Sequence, residues 1–155
     1  MRVNQFTTRL DKEYRTVVIK EKGINYTQDN EFKRPDNIDQ LFRDVYQLDK
    51  RTEEFLYLVC LNASCKLIGI FELSHGTVDC APVAIRELFV KSLILGAVGV
   101  ILVHNHPGGS KKESHEDIEV TSKIKKASEL LQIIFWDHVI IAGDTYISLK
   151  EKGYL

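Results

Sequence analysis

Residues 98–103, Val-Gly-Val-Ile-Leu-Val, run straight into His104-Asn105-His106-Pro107-Gly108-Gly109. A short apolar run rich in β-branched residues reads as a buried strand, and the Pro-Gly-Gly behind it stops the strand and opens a loop. Residues two apart on a strand point the same way, so His104 and His106 present their rings to one side. A helix is expected to start near Ser114, which puts Ser114 and Asp117 on one face of its first turn. Two imidazoles, a carboxylate and a hydroxyl can therefore meet beside one loop. Two histidines and a carboxylate, with a fourth position open to water, make the ligand set of a hydrolytic zinc site. Taken singly these residues have plainer uses, since Ser-x-x-Asp ahead of a helix is close to a capping box. The joint spacing, His-x-His-Pro, six residues, then Ser-x-x-Asp, is what points to a metal.

That stretch resembles the JAMM motif of the MPN/JAB metalloprotease superfamily. More narrowly, His104-Asn105-His106-Pro107 with Ser114 and Asp117 is similar to the RadC family. Asp137-His138-Val139-Ile140-Ile141 and Ser148-Leu149-Lys150-Glu151-Lys152-Gly153 look like the end of the RadC pattern, and Gly76-Thr77 and Arg86-Glu87 like its middle. The likeness covers residues 37–155. It departs at Gly108, where the family usually has serine, and at Glu113, where a proline would precede Ser114. No counterpart of the helix-hairpin-helix region that leads many RadC proteins is present in these residues. The resemblance implies an α/β (α+β) domain, a mixed β-sheet flanked by helices, resembling the cytidine-deaminase-like MPN/JAB fold. It also implies Zn2+ held by His104, His106 and Asp117, and hydrolysis of amide or isopeptide bonds in a protein or peptide substrate.

The rest of the chain is read around that centre. Residues 1–36 are taken as a strand-and-loop extension of the same domain, with a strand over 14–20, and 37–155 as the RadC-like JAB/MPN domain. The apolar spacing of Ile38, Leu41, Phe42, Val45 and Leu48 predicts a helix that Asp36 or Asn37 would cap. Residues 55–61 and 67–73 read as a hairpin and 82–95 and 114–131 as helices, and the apolar Ile133-Ile134-Phe135 and Val139-Ile140-Ile141 flank Trp136-Asp137-His138. That makes about five strands and three helices. A chain of 155 residues is long enough for one substantial core. Its formal charge of −1 lacks the basic footprint of a nucleic-acid binder, so strong intrinsic DNA binding is not expected. No run approaches the ~18 apolar residues of a membrane span. The opening residues lack the apolar segment of a leader, and Cys60, Cys65 and Cys80 form no disulfide pattern, so a reducing cytoplasm is expected.

Hydrolysis of this kind needs a base that is not itself a ligand. The family places a Gln-Glu ahead of an aromatic strand, and Glu53, two residues before Phe55, is assigned that role; Glu54 would face the other way. Ser114 is assigned to donate a hydrogen bond to the oxyanion. His138 is read as a hydrogen-bonded partner or a support for a ligand, with Asp137 as a possible acceptor for a ligand imidazole. Zinc nucleobase deaminases need His-x-Glu with Pro-Cys-x-x-Cys, which this chain lacks. The remaining alternative is a non-enzymatic, metal-stabilised interaction module associated with DNA repair or mobile-element defence.

Overall fold

In the computed structural model, which describes residues 1–28, 32–76 and 83–155, the chain opens with two long strands, β1 (Arg2–Leu10) and β2 (Thr16–Asn25). Sequence reasoning expects one strand here, because Asn4, Gln5, Thr7 and Thr8 hide the alternation of the first. The two pair antiparallel across a turn held by Asp11, whose carboxylate accepts from the backbone N–H of Glu13 and of Arg15. Helix α1 (Pro35–Tyr46) follows. Pro35 fits its first turn, where a missing N–H costs nothing, and the N-cap is Arg34 rather than Asp36 or Asn37. Asp36 sits inside that turn instead, where a carboxylate suits the helix dipole.

A single 3-10 turn, Leu48–Lys50, leads to the hairpin of β3 (Phe55–Leu61) and β4 (Leu67–His75). Asn62 closes it, its side-chain oxygen accepting from the backbone N–H of Ser64 and Lys66. Then come α2 (Ile85–Ile94), β5 (Gly99–Asn105), α3 (His115–Leu131), β6 (Ile134–Ala142) and β7 (Thr145–Ser148). Residues 134–142 are one continuous strand. The polar Trp136-Asp137-His138 does not interrupt it, because Asp137 is satisfied internally by the Ser148 hydroxyl and two backbone N–H groups.

The seven strands form one mixed sheet in the order β2-β1-β4-β3-β5-β6-β7. Pairing is antiparallel except between β1 and β4 and between β5 and β6. The β5–α3–β6 unit is thus a parallel crossover, which needs a connecting helix. Helix α1 covers one face of the sheet, packing Ile38, Leu41 and Phe42 on Tyr57, Val59, Val103 and Val139. Helices α2 and α3 cover the other, where Leu88, Phe89 and Ile124 meet Leu58, Cys60 and Leu102. Covered on both sides, all of β5 is buried, which is why it reads as an unbroken apolar run. Truncating such a residue, Leu102→Ala for instance, costs about 2–5 kcal/mol. The mixed sheet flanked by helices agrees with the expected fold, with seven strands among the described residues rather than about five. On α3, Thr121, Ile124 and Ser128 face inward, while Leu131 at its end is exposed. No helix among the described residues is long and apolar enough to cross a membrane.

Candidate metal centre

Where β5 ends and α3 begins, four functional side chains meet. His104 is the sixth residue of β5 and is buried. His106 lies just past the strand, but its N–H still donates to the Ile141 carbonyl at 2.9 Å, so the alternation that aligns it with His104 persists. The chain then turns. Gly109 takes the left-handed φ of 69°, which favours glycine, and donates its N–H to the His106 carbonyl at 2.9 Å. At Gly108 a Cβ would meet nothing within 4 Å, so the serine usual in the family would fit. Ser114 is the N-cap of α3. Its Oγ accepts from the Asp117 N–H at 3.0 Å, and Asp117 Oδ2 accepts from the Ser114 N–H at 2.7 Å. The capping box is therefore real, and it also fixes which way the Asp117 carboxylate faces.

Three donor atoms converge. His104 Nε2 lies 3.1 Å from His106 Nε2 and 3.2 Å from Asp117 Oδ1, and His106 Nε2 lies 3.4 Å from Asp117 Oδ2. In a tetrahedral zinc site with bonds of about 2.0–2.1 Å, neighbouring donors stand about 3.3 Å apart. The protons can be assigned from the partners behind the rings. Thr121 Oγ1 donates to the Asp117 carbonyl at 2.6 Å, so toward His138 Nδ1, also at 2.6 Å, it acts as acceptor. His138 Nε2 then carries a lone pair and accepts from His104 Nδ1 at 2.8 Å, leaving His104 Nε2 bare. His106 Nδ1 donates to the Ser110 carbonyl at 3.0 Å, leaving its Nε2 bare as well. Two lone pairs and a carboxylate face one another, an arrangement that calls for a cation between them.

A proton on an imidazole Nε2, donated to Asp117, can stand in for that cation, and the charges of the group show the same pull toward positive charge. Burial works to raise the Asp117 carboxyl, but hydrogen bonds and charge from His104 and His106 and the Ser114 N–H outweigh it and hold it far below the usual range. Burial works to lower His106, yet Asp117, the Ser110 carbonyl and the Glu54 charge bring it out above the ordinary imidazole value. Burial, helped by the neighbouring histidines, holds His138 well below its usual value, so it stays neutral, as a hydrogen-bond acceptor must.

Among the described residues, His104, Asp117 and His138 form a group whose ligand atoms lie within 4.8 Å of one another and which can hold a metal ion. His138 has both ring nitrogens engaged, one by His104 and one by Thr121, so it fits better as the support that orients His104. Asp137, the other acceptor considered for a ligand imidazole, is turned away toward Ser148 and Lys150. His75 ends β4 beside Glu72 at 3.1 Å, His115 is exposed, and Arg86 pairs with Glu87 at the surface. Burial pushes the Cys60 thiol up to about 12, leaving it inert, while Thr77 and Cys80 lie outside the described residues.

Glu53 is not where the expected base belongs. It is exposed, whereas Glu54 lines the cavity that opens over His104, His106 and Asp117. Register explains the correction: Leu56 pairs with His104 and lines the same cavity, so Glu54, two residues earlier, shares its side. Phe55 turns to the opposite core. A residue that sequence reasoning passed over fixes this segment. Buried Asn105 accepts from the Phe55 N–H at 2.8 Å and donates to the Glu53 carbonyl at 3.0 Å, gripping the backbone on both sides of Glu54. Its signal in the sequence was its place between the two histidines, facing the other way.

Residues 32–154 match the RadC-like JAB domain family. A UPF0758 protein of Clostridium acetobutylicum is 38% identical over 109 residues, 70% of this chain and 48% of that protein. Another, from Caldanaerobacter subterraneus, is 41% identical over 119 residues, 77% of this chain and 50% of its own length. A third, from Clostridium beijerinckii, is 31% identical over 146 residues, 94% of this chain and 60% of that protein. The chain spans about half the length of the curated relatives it matches.

Proposed function

This chain belongs to the RadC-like JAB domain family, and we propose that it is a zinc-dependent hydrolase of amide or isopeptide bonds, of the JAMM type. The observation that carries the reading is the triangle of bare donors from His104, His106 and Asp117, with Glu54 on the wall of the same cavity. Those three side chains would hold the ion. When bound, zinc supplies Lewis-acid polarisation of the scissile carbonyl and brings water toward a pKa of ~7.

The chain's own residues supply the remainder. Glu54 accepts the proton of the attacking water and delivers it to the leaving amine. Ser114 uses its Oγ lone pair in the helix cap, so its hydroxyl proton is left to donate to the oxyanion. His138 keeps the His104 Nδ1 proton in place, and Asn105 holds the backbone that carries Glu54.

The test is hydrolysis of peptide and isopeptide-linked substrates by the zinc-loaded chain. Glu54→Gln is expected to keep zinc and lose about 10²–10⁴-fold in rate, the usual cost of a positioned general base. Glu53→Gln is expected to leave the rate unchanged. Equal losses in the two variants would overturn the assignment of the base, and hydrolysis that persists after zinc is stripped would overturn the proposed chemistry.

A further inference from the structure

The cavity over the donor triangle, about 640 Å³, has a second wall that the proposed chemistry does not use. Leu56, Val83, Ile85 and Val120 form it. Leu56 is the register partner of His104, so this wall begins beside the imidazole. Val120 follows Asp117 by three residues on α3 and lies on the same helix face. Ile85 opens α2, and Val83 lies just ahead of its N-cap, Ala84. Val83, Ile85 and Val120 are half-buried and packed against the Leu88, Phe89 and Ile124 side of the core, so the wall is backed by rigid structure.

Two of the charged residues that line the cavity are occupied with their own partners, and Lys112 and Glu116 beside them are opposite in sign. Glu113 is held by Lys152 and Tyr154, and Lys123 by Glu119. Paired rim charges contribute little to discrimination, whereas apolar surface beside a reacting centre favours whatever removes it from water. The volume falls within the ~300–1,000 Å³ of small-ligand pockets, enough for a short extended segment and too small for a folded partner.

From this we infer that the wall of Leu56, Val83, Ile85 and Val120 is a subsite for an aliphatic or aromatic side chain of the substrate peptide, next to the bond that is cut. The inference rests on the hydrolase reading and narrows it to substrates with an apolar residue flanking the scissile amide.

Calorimetric titration of the zinc-loaded chain with metal-directed hydroxamates tests it without a known substrate. The probes are acetohydroxamate, hydroxamates carrying an isobutyl or benzyl arm, and one carrying a carboxylate arm. The apolar arms are expected to bind about tenfold or more tighter than acetohydroxamate, the scale of burying one such side chain, with no gain for the carboxylate arm. Val120→Thr and Ile85→Thr keep β-branched shape, and each is expected to shrink that gain while leaving acetohydroxamate affinity as it was. Equal affinity for all arms, or a gain that survives both substitutions, overturns the subsite while leaving the metal centre standing. Failure of acetohydroxamate itself to bind the zinc-loaded chain overturns the metal centre, and the subsite with it.

Discussion

His104 and His106 sit two residues apart, yet the protein holds their rings by different means. Behind His104 is a buried relay of side chains: His138, then Thr121, ending on the backbone carbonyl of Asp117. His104, His138 and Thr121 are at most 1% exposed. Behind His106 is the carbonyl of Ser110, in a loop at the cavity mouth. That loop is tied down from outside, Lys111 to Asp144 at 2.6 Å and Glu113 to Lys152 and Tyr154. One ring is therefore oriented by the core and the other by a backbone carbonyl whose surroundings are solvated. Dry hydrogen bonds are costly to break, while surface ion pairs are cheap to lose, so the two halves of the centre should differ in what they tolerate.

The largest expected effect falls where the halves meet. Asp117→Asn removes the negative charge both histidines face, and zinc affinity measured by competition with a chelator should fall by more than the ~10–100-fold that supporting partners cost. Helix α3 should survive, because an Asn oxygen can still accept from the Ser114 N–H. Next is Thr121→Val, nearly isosteric, which leaves the His138 Nδ1 proton buried without an acceptor. Its expected cost is about 1–3 kcal/mol of stability, read as a lowered denaturation midpoint. Smallest is Lys111→Ala on the mouth side, whose pair with Asp144 is exposed, worth about 0–1 kcal/mol in the same measurement. If Lys111→Ala cost as much as Thr121→Val, the contrast between the core-held and the loop-held imidazole would collapse.

The donor triangle was legible in the sequence because short-range rules fix it. Strand alternation aligns His104 with His106, and the Ser-x-x-Asp start of α3 aims Asp117. What had to be learned from the fold is long-range. His138 lies opposite Leu102 on a neighbouring strand, and nothing local says that a histidine 34 residues on will meet His104. The choice between Glu53 and Glu54 turns on the pairing of β3 with β5, since a one-residue change of register would exchange their faces. The N-terminal hairpin escaped notice for another reason. Asn4, Gln5 and two threonines give β1 no apolar period, and its place in the sheet comes from parallel pairing with β4.

The centre itself is tested most directly by the zinc content of two single variants, His106→Ala and His138→Ala, each loaded, dialysed and measured beside the parent chain. The expected result is about one zinc per chain in the parent, close to none in His106→Ala, and weakened but measurable binding in His138→Ala, as befits a support rather than a ligand. Full zinc retention by His106→Ala, with none in His138→Ala, would contradict this and move the site to His104, Asp117 and His138.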